Sequence, residues 1–151
     1  MTVAGTDLLC VVLGDGTQDL DAGGAEVGGV VAVVQRVVRR LTMTRGSCAG
    51  QPNDGLDVRA WLRSGVLTAT TGQIQAAIQS ELAREAAISA IAVGVAWVAA
   101  TGALTLTIGF AVAGTAQALT FVLTSTTMAV LVNGLPASWA APAAPAAPVS
   151  P

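Results

Sequence analysis

Histidine, tyrosine and lysine are absent from this 151-residue chain, and aromatic residues make up 3% and charged residues 11% of it. Without histidine there is no imidazole for a nucleophile-activating triad or a zinc site. Without lysine there is neither a P-loop ammonium nor a Schiff-base amine. All seven cations are arginines, and against nine acidic residues they leave a formal charge of −2. Nucleic-acid binding needs a surface of clustered cations. Arg36, Arg39, Arg40 and Arg45 come nearest to one, and they read as the solvated side and exit of a helix. The two cysteines, Cys10 and Cys48, stand too far apart for a CxxC pair and have no other metal-ligand residues beside them, so they read as buried free thiols. The first residues carry no cationic, apolar secretory signal, and synthesis in a reducing cytoplasm is expected. No cofactor and no metal are expected.

What the chain does have is apolar surface: 53% hydrophobic residues and a mean hydropathy of +0.68. No charged residue follows Glu85. A hydropathy window alone would place membrane helices in residues 86–132. Periodicity argues otherwise. Ile91, Val93, Val95 and Trp97 alternate with Ala92, Gly94 and Ala96; Leu104, Leu106, Ile108, Phe110 and Val112 alternate with Thr105, Thr107, Gly109 and Ala111. Leu119, Phe121 and Leu123 continue the pattern, and residues 128–132 make a weaker fourth run. A period of two sends large side chains to one face and small ones to the other, and Thr-Gly punctuation suits tight hairpins. These runs predict a soluble β-meander with one buried face. On that face Trp97→Ala is expected to cost about 3–5 kcal/mol. The opposite face is Thr, Ala and Gly without the charges that usually protect a sheet from edge pairing, which points to a subunit of an assembly.

The N-terminal half reads as a strand over residues 8–13, then a helix whose stripe is Val27, Val30, Val31, Val34, Val37, Val38 and Leu41, with Gln35 and the arginines on its other side. A loop containing Pro52 leads to a short helix over residues 56–63. Thr70 with Gln73 has the spacing of a capping box, opening a helix with Ile74, Ala77, Ile78 and Leu82 on one face. The expected fold is α+β: an N-terminal strand and helices followed by an antiparallel β-meander. One domain spans residues 1–133, and residues 134–151 form an Ala/Pro-rich tail of extended or polyproline character.

Three groups of polar residues invite a functional reading. Asp15 to Glu26 spaces oxygen-bearing residues like a calcium loop, but Leu20 stands where the sharp turn needs glycine, so an acidic turn is the better reading. Glu81 and Glu85 lie four apart on one helix, on one face. Glycoside hydrolysis needs two carboxylates flanking a cleft from opposite sides, so the pair reads as a surface pair beside Arg84. Arg45, Gly46, Gly55 and Asp57, with Arg59, read either as caps and turns or as a salt-bridge network that sets the loop.

The order of these features resembles the sheath-initiator, or baseplate wedge, family of contractile phage tails, which is related to type VI secretion baseplate subunits. The resemblance runs over residues 5–132. Gly5-Thr6-Asp7-Leu8 is similar to the family's Gly-x-Asp-Leu opening, and Gln35 stands in the first helix. Leu41-Thr42-Met43-Thr44-Arg45-Gly46 is similar to its Leu-x-x-Arg-x-Gly helix exit with Thr-Arg-Gly adjacent, and Pro52-Asn53-Asp54-Gly55-Leu56-Asp57 fits Pro-x-x-Gly-x-Asp. Where the family has Glu-Pro-Arg-Ile, this chain has Glu85-Ala86-Ala87-Ile88, keeping the first and last residues only.

The resemblance implies a structural protein of the virion tail baseplate, assembled in the host cytoplasm, and not an enzyme, although members carry a lysozyme-like label. Its implied partners are the tail sheath protein, baseplate wedge proteins and the tail tube, with six copies around the tail axis and no nucleic acid or membrane. Glu85 and Ile88 are then the remnant of the wedge contact. Thr120, Val122 and Thr124, read as lying on the small-residue side of one meander strand, are the expected sheath-docking positions, through addition of a strand to the sheet. A small carboxylate-dependent hydrolase and a membrane-inserted hairpin protein are the alternative classes.

Overall fold

The structure, a computed structural model, describes residues 7–8, 10–12, 18–20, 26–47, 50–66 and 70–136, with side chains from residue 26 onward up to residue 135. Two short ribbons come first: β1 (Asp7–Leu8) pairs antiparallel with β4 (Glu26–Val27), and β2 (Cys10–Val12) with β3 (Gln18–Leu20). Within the stretch read as an acidic turn, residues 18–20 form β3, and residues 15–17 and 21–25 lie outside the described residues. Helices α1 (Gly29–Thr42), α2 (Arg59–Ser64) and α3 (Thr71–Leu82) follow. A five-stranded antiparallel sheet then runs in chain order: β5 (Ile88–Val98), β6 (Ala103–Val112), β7 (Thr115–Leu123), β8 (Met128–Val132) and β9 (Leu135–Pro136). The fold is α+β. The first residues past Gly134 join the sheet as β9, whereas residues 137–151 of the expected tail lie outside the described residues, as do Cys48 and residues 13–17.

Helices α1 and α3 share one core with the sheet because both carry an apolar stripe. In α1 the large buried apolar residues are Val33, Val34, Val37, Val38 and Leu41, recurring at three and four as a 3.6-residue helix requires. Two sequence readings are corrected here. Val31 is 42% exposed and Val33 takes its place in the stripe, while Gln35, expected on the polar side, is fully buried. A run of six valines in nine positions allows several stripes, and only the packing partner selects one. In α3, Ile74, Ile78 and Leu82 face inward at successive fours. Thr70 precedes α3 in a helical conformation, and its side chain makes no capping hydrogen bond, so the capping-box spacing is not used as one.

In the sheet, the period of two holds along β6 and β7: Leu104, Leu106, Ile108, Phe110 and Val112, then Leu119, Phe121 and Leu123, are all buried. Phe121 stands opposite Leu106 on one side and Val130 on the other, at the centre of the core. β5 departs from strict alternation. A bulge between Ser89 and Ala92, with Ala90 at φ 53°, places two residues opposite one and so returns Ile88 to the face that Ile91 and Val93 occupy. Trp97, at the far end of this strand, is only half-buried, so the loss expected from truncating it is smaller than the sequence reading gave.

The other face holds Ala92, Gly94 and Ala96 on β5, Thr105, Thr107 and Gly109 on β6, and Ala118, Thr120 and Val122 on β7. Cross-strand rows such as Gly94–Thr107–Thr120 carry no charge. The two tight turns Ala113-Gly114 and Asn133-Gly134 each place both central residues at positive φ, the mirror-type hairpin geometry that matches strand twist.

Candidate functional site

Where α1 ends, the chain must satisfy the carbonyl groups that a helix C-terminus leaves without partners. Here a later loop does it: the N–H groups of Leu56, Asp57 and Val58 donate to the carbonyls of Arg40, Met43 and Leu41, at 3.0, 3.1 and 2.9 Å. That close approach has a steric condition. Gly55 is buried at φ 114°, and a β-carbon on it would lie 2.6 Å from the Met43 carbonyl oxygen. The Gly55 position of the loop motif is therefore dictated by backbone contact. Gly55→Ala is expected to destabilise the protein by about 2–3 kcal/mol, measured by urea denaturation, since neither the clash nor the φ can be relieved locally.

The same loop is tied to α3 by charge. Glu81, in the last turn of α3, is 2% exposed. Its Oε1 accepts from the Gly55 N–H at 3.2 Å and from Arg40 Nη1 at 3.2 Å, and its Oε2 accepts from Arg45 Nη2 at 3.0 Å, with Arg84 Nη1 at 3.5 Å. Arg40 also reaches Asp54 at 2.9 Å and Glu85 at 3.6 Å. Arg36 lies 3.5 Å from Glu85, and Arg84 lies 3.3 Å from Asp54. Arg45 Nε donates to the Gly55 carbonyl at 3.2 Å. Four arginines and three carboxylates from α1, the loop and the end of α3 thus form one continuous cluster.

This overturns two sequence readings. Arg36 and Arg40 are not a solvated helix side, although Arg45 at the helix exit is 56% exposed as read, and Glu81 is not a surface residue paired with Glu85. Helical spacing does put the two carboxylates near each other. It does not reveal that three elements close over them.

The remaining expected residues fall into separate places. Gly46 sits exposed in the turn after α1, at φ 85°. Asp57 belongs to a second, smaller cluster, with Arg63 Nη2 at 2.7 Å and Arg59 Nε at 3.5 Å. Both readings of the loop residues hold in part: Arg45 and Gly55 belong to the salt-bridge network, and Gly46 to a turn. Ile88 is buried in the core at 8% exposure, so its side chain is a packing residue and not a docking one. Glu85 lies half-buried at the root of β5, where it also accepts from the Ala87 N–H at 3.3 Å. Thr120 and Val122 lie on β7, whose backbone pairs with β6 and β8 on its two sides; Thr124 follows it in the turn. β7 is not an edge, so Val122→Pro would break an interior ladder and not block an incoming strand.

Chemically, the cluster is a clamp. Both oxygens of Glu81 are occupied by donors, and Glu85 and Asp54, which line a cleft of about 290 Å³, are each paired with two arginines, so none of the three is a free carboxylate. Among the described residues no group of three or more His, Cys, Asp and Glu side chains is arranged to hold a metal. No described helix is long and apolar enough to cross a membrane.

Fold and cluster together define an α+β domain in which an ionic clamp braces one end of an open, uncharged sheet. Neither a protein-family model nor a curated protein matches the chain. Among solved structures it is similar to a candidate tail lysozyme from Geobacter sulfurreducens, with 22% identity and a TM-score of 0.47 over 72% of this chain and 88% of that one. The lysozyme description belongs to that protein.

Proposed function

We propose that this chain is a structural, non-enzymatic component of a contractile tail baseplate, and that it nucleates the sheath by accepting or offering a strand along the outer edge of β5. The observation that carries the proposal is that edge. β5 is eleven residues long and pairs only with β6 among the described residues. Beyond the bulge at its start, residues 92–98 contain no proline and no charged residue, two of the common means of preventing strand addition. At the opposite end of the sheet, β9 is two residues long and includes Pro136, which blunts that edge. Main-chain hydrogen bonds along an open edge supply affinity for an extended segment of another protein.

The ionic clamp supports the same reading, because Glu85 fastens the start of β5 to α1 and presents the edge on a rigid base. The motifs in residues 5–88 that resemble the sheath-initiator family point to the sheath as the strand's source, and to wedge proteins and the tail tube as the other neighbours. Six copies would surround the tail axis in the virion. Negative-stain microscopy of native particles with a gold-labelled antibody against the chain tests the location. Label at the base of a contractile tail is the expected result, and label elsewhere on the particle, or on none, contradicts it.

A further inference from the structure

A second polar site lies away from the clamp, in a cleft of about 410 Å³ between α2 and the turn joining β7 to β8. Arg59, Leu62 and Arg63 line one side, and the turn at residues 124–127 lines the other. Its volume falls in the range of ~300–1,000 Å³ typical of ligand sites. Two guanidinium groups share one carboxylate here. Arg63 Nη2 holds Asp57 Oδ2 at 2.7 Å, while Arg59 Nε and Asp57 Oδ1 stand 3.5 Å apart and make no hydrogen bond. One positive charge is left over, on groups whose planar fork suits an oxyanion. Facing them, the Thr124 hydroxyl accepts from the Thr127 N–H at 3.1 Å and pairs with the Thr127 hydroxyl at 2.7 Å. These bonds hold the turn in shape and leave the exposed Ser125 and Thr126 at its tip.

We infer that this cleft docks a carboxylate-bearing peptide segment of a partner protein. Charge selects the carboxylate: it neutralises the single excess cation, whereas the second charge of a phosphate would be set against Asp57. Leu62, half-buried in the wall, gives an apolar neighbour of that carboxylate a place to pack. The site is independent of the β5 edge and of the baseplate reading.

The test is an NMR titration of the full chain with the peptide acetyl-Ala-Leu-Asp-Leu-Ala-amide, following the arginine Nε–H signals of Arg59 and Arg63. Saturable shifts of these signals are expected, lost when the peptide carries Asn in place of Asp. Arg63→Gln and Ser125→Asp are each expected to weaken binding about tenfold, as loss of a charge-assisted contact does. Ser125→Asp leaves the Asp57 pairs intact, so it reads the site without disturbing the fold. Failure to saturate in the millimolar range, equal binding by the Asn peptide, or tighter binding of inorganic phosphate overturns the inference.

Discussion

Glu81→Gln is expected to cost the fold about 3 kcal/mol, even though the substitution keeps the size and shape of the side chain. Removing one partner of a buried ion pair typically costs ~3–5 kcal/mol, because the other charge is left buried and uncompensated. Here the charge that loses a partner is chiefly Arg40, whose side chain is 12% exposed and which keeps Asp54 at 2.9 Å and Glu85 at 3.6 Å. Arg45 and Arg84 reach solvent at 56% and 41%, so water takes up part of their loss and the lower end of the range applies. Gln can still accept from the Gly55 N–H, but its amide group then points donors at arginine donors. Urea denaturation measures the loss. A well-buried pair is also weakly screened, so most of the deficit is expected to persist at about 1 M salt, where the Debye length is ~3 Å. A loss below about 1 kcal/mol would mean the carboxylate is not the keystone of the clamp.

Phe121→Ala is expected to cost about 3–5 kcal/mol, the range for truncating a fully buried aromatic residue. Its side chain has no exposed surface, and its neighbours across the strands are Leu106 and Val130. Trp97→Ala, a larger truncation by volume, is expected to cost only about 1–3 kcal/mol because half-burial leaves less area to lose and water to fill the gap. Paired denaturation curves with equal m-values decide the order. If the tryptophan variant lost more, the sheet's core would be centred at the β5–β6 end and not on β7.

The meander was legible because a period of two over β6 and β7 has no competing helical reading, and turn residues break the runs where the hairpins fall. The valine run of α1 was legible as a helix but not as a particular stripe, since Val31 and Val33 satisfy the pattern equally well by type. At Ile88 the parity argument fails for a local reason: the Ala90 bulge adds one residue to β5, which no alternation rule anticipates. The clamp was the least legible part. Arg40 and Glu81 are forty-one positions apart, and Arg45 and Glu81 thirty-six. Exposed charge is the ordinary fate of such residues, so burial follows only from knowing that α1, the Gly55 loop and α3 converge. One hint was available: Arg45 and Asp54 lie in the two motifs that contain Gly46 and Gly55, and Gly55 has a strict backbone role.

The most direct measurement of the central claim is a count of sheathed tails against bare tubes in particles whose chain carries Ala92→Lys together with Ala96→Lys. Both alanines are exposed on β5, and lysines there supply the protective charge the native strand lacks without touching the core. The same charge placed at Thr120, on the interior strand β7, serves as the comparison. Accumulation of bare tubes in the β5 variant, with sheathed tails retained in the Thr120→Lys particles, is the result the account predicts. Normal numbers of sheathed tails in the β5 variant would contradict it.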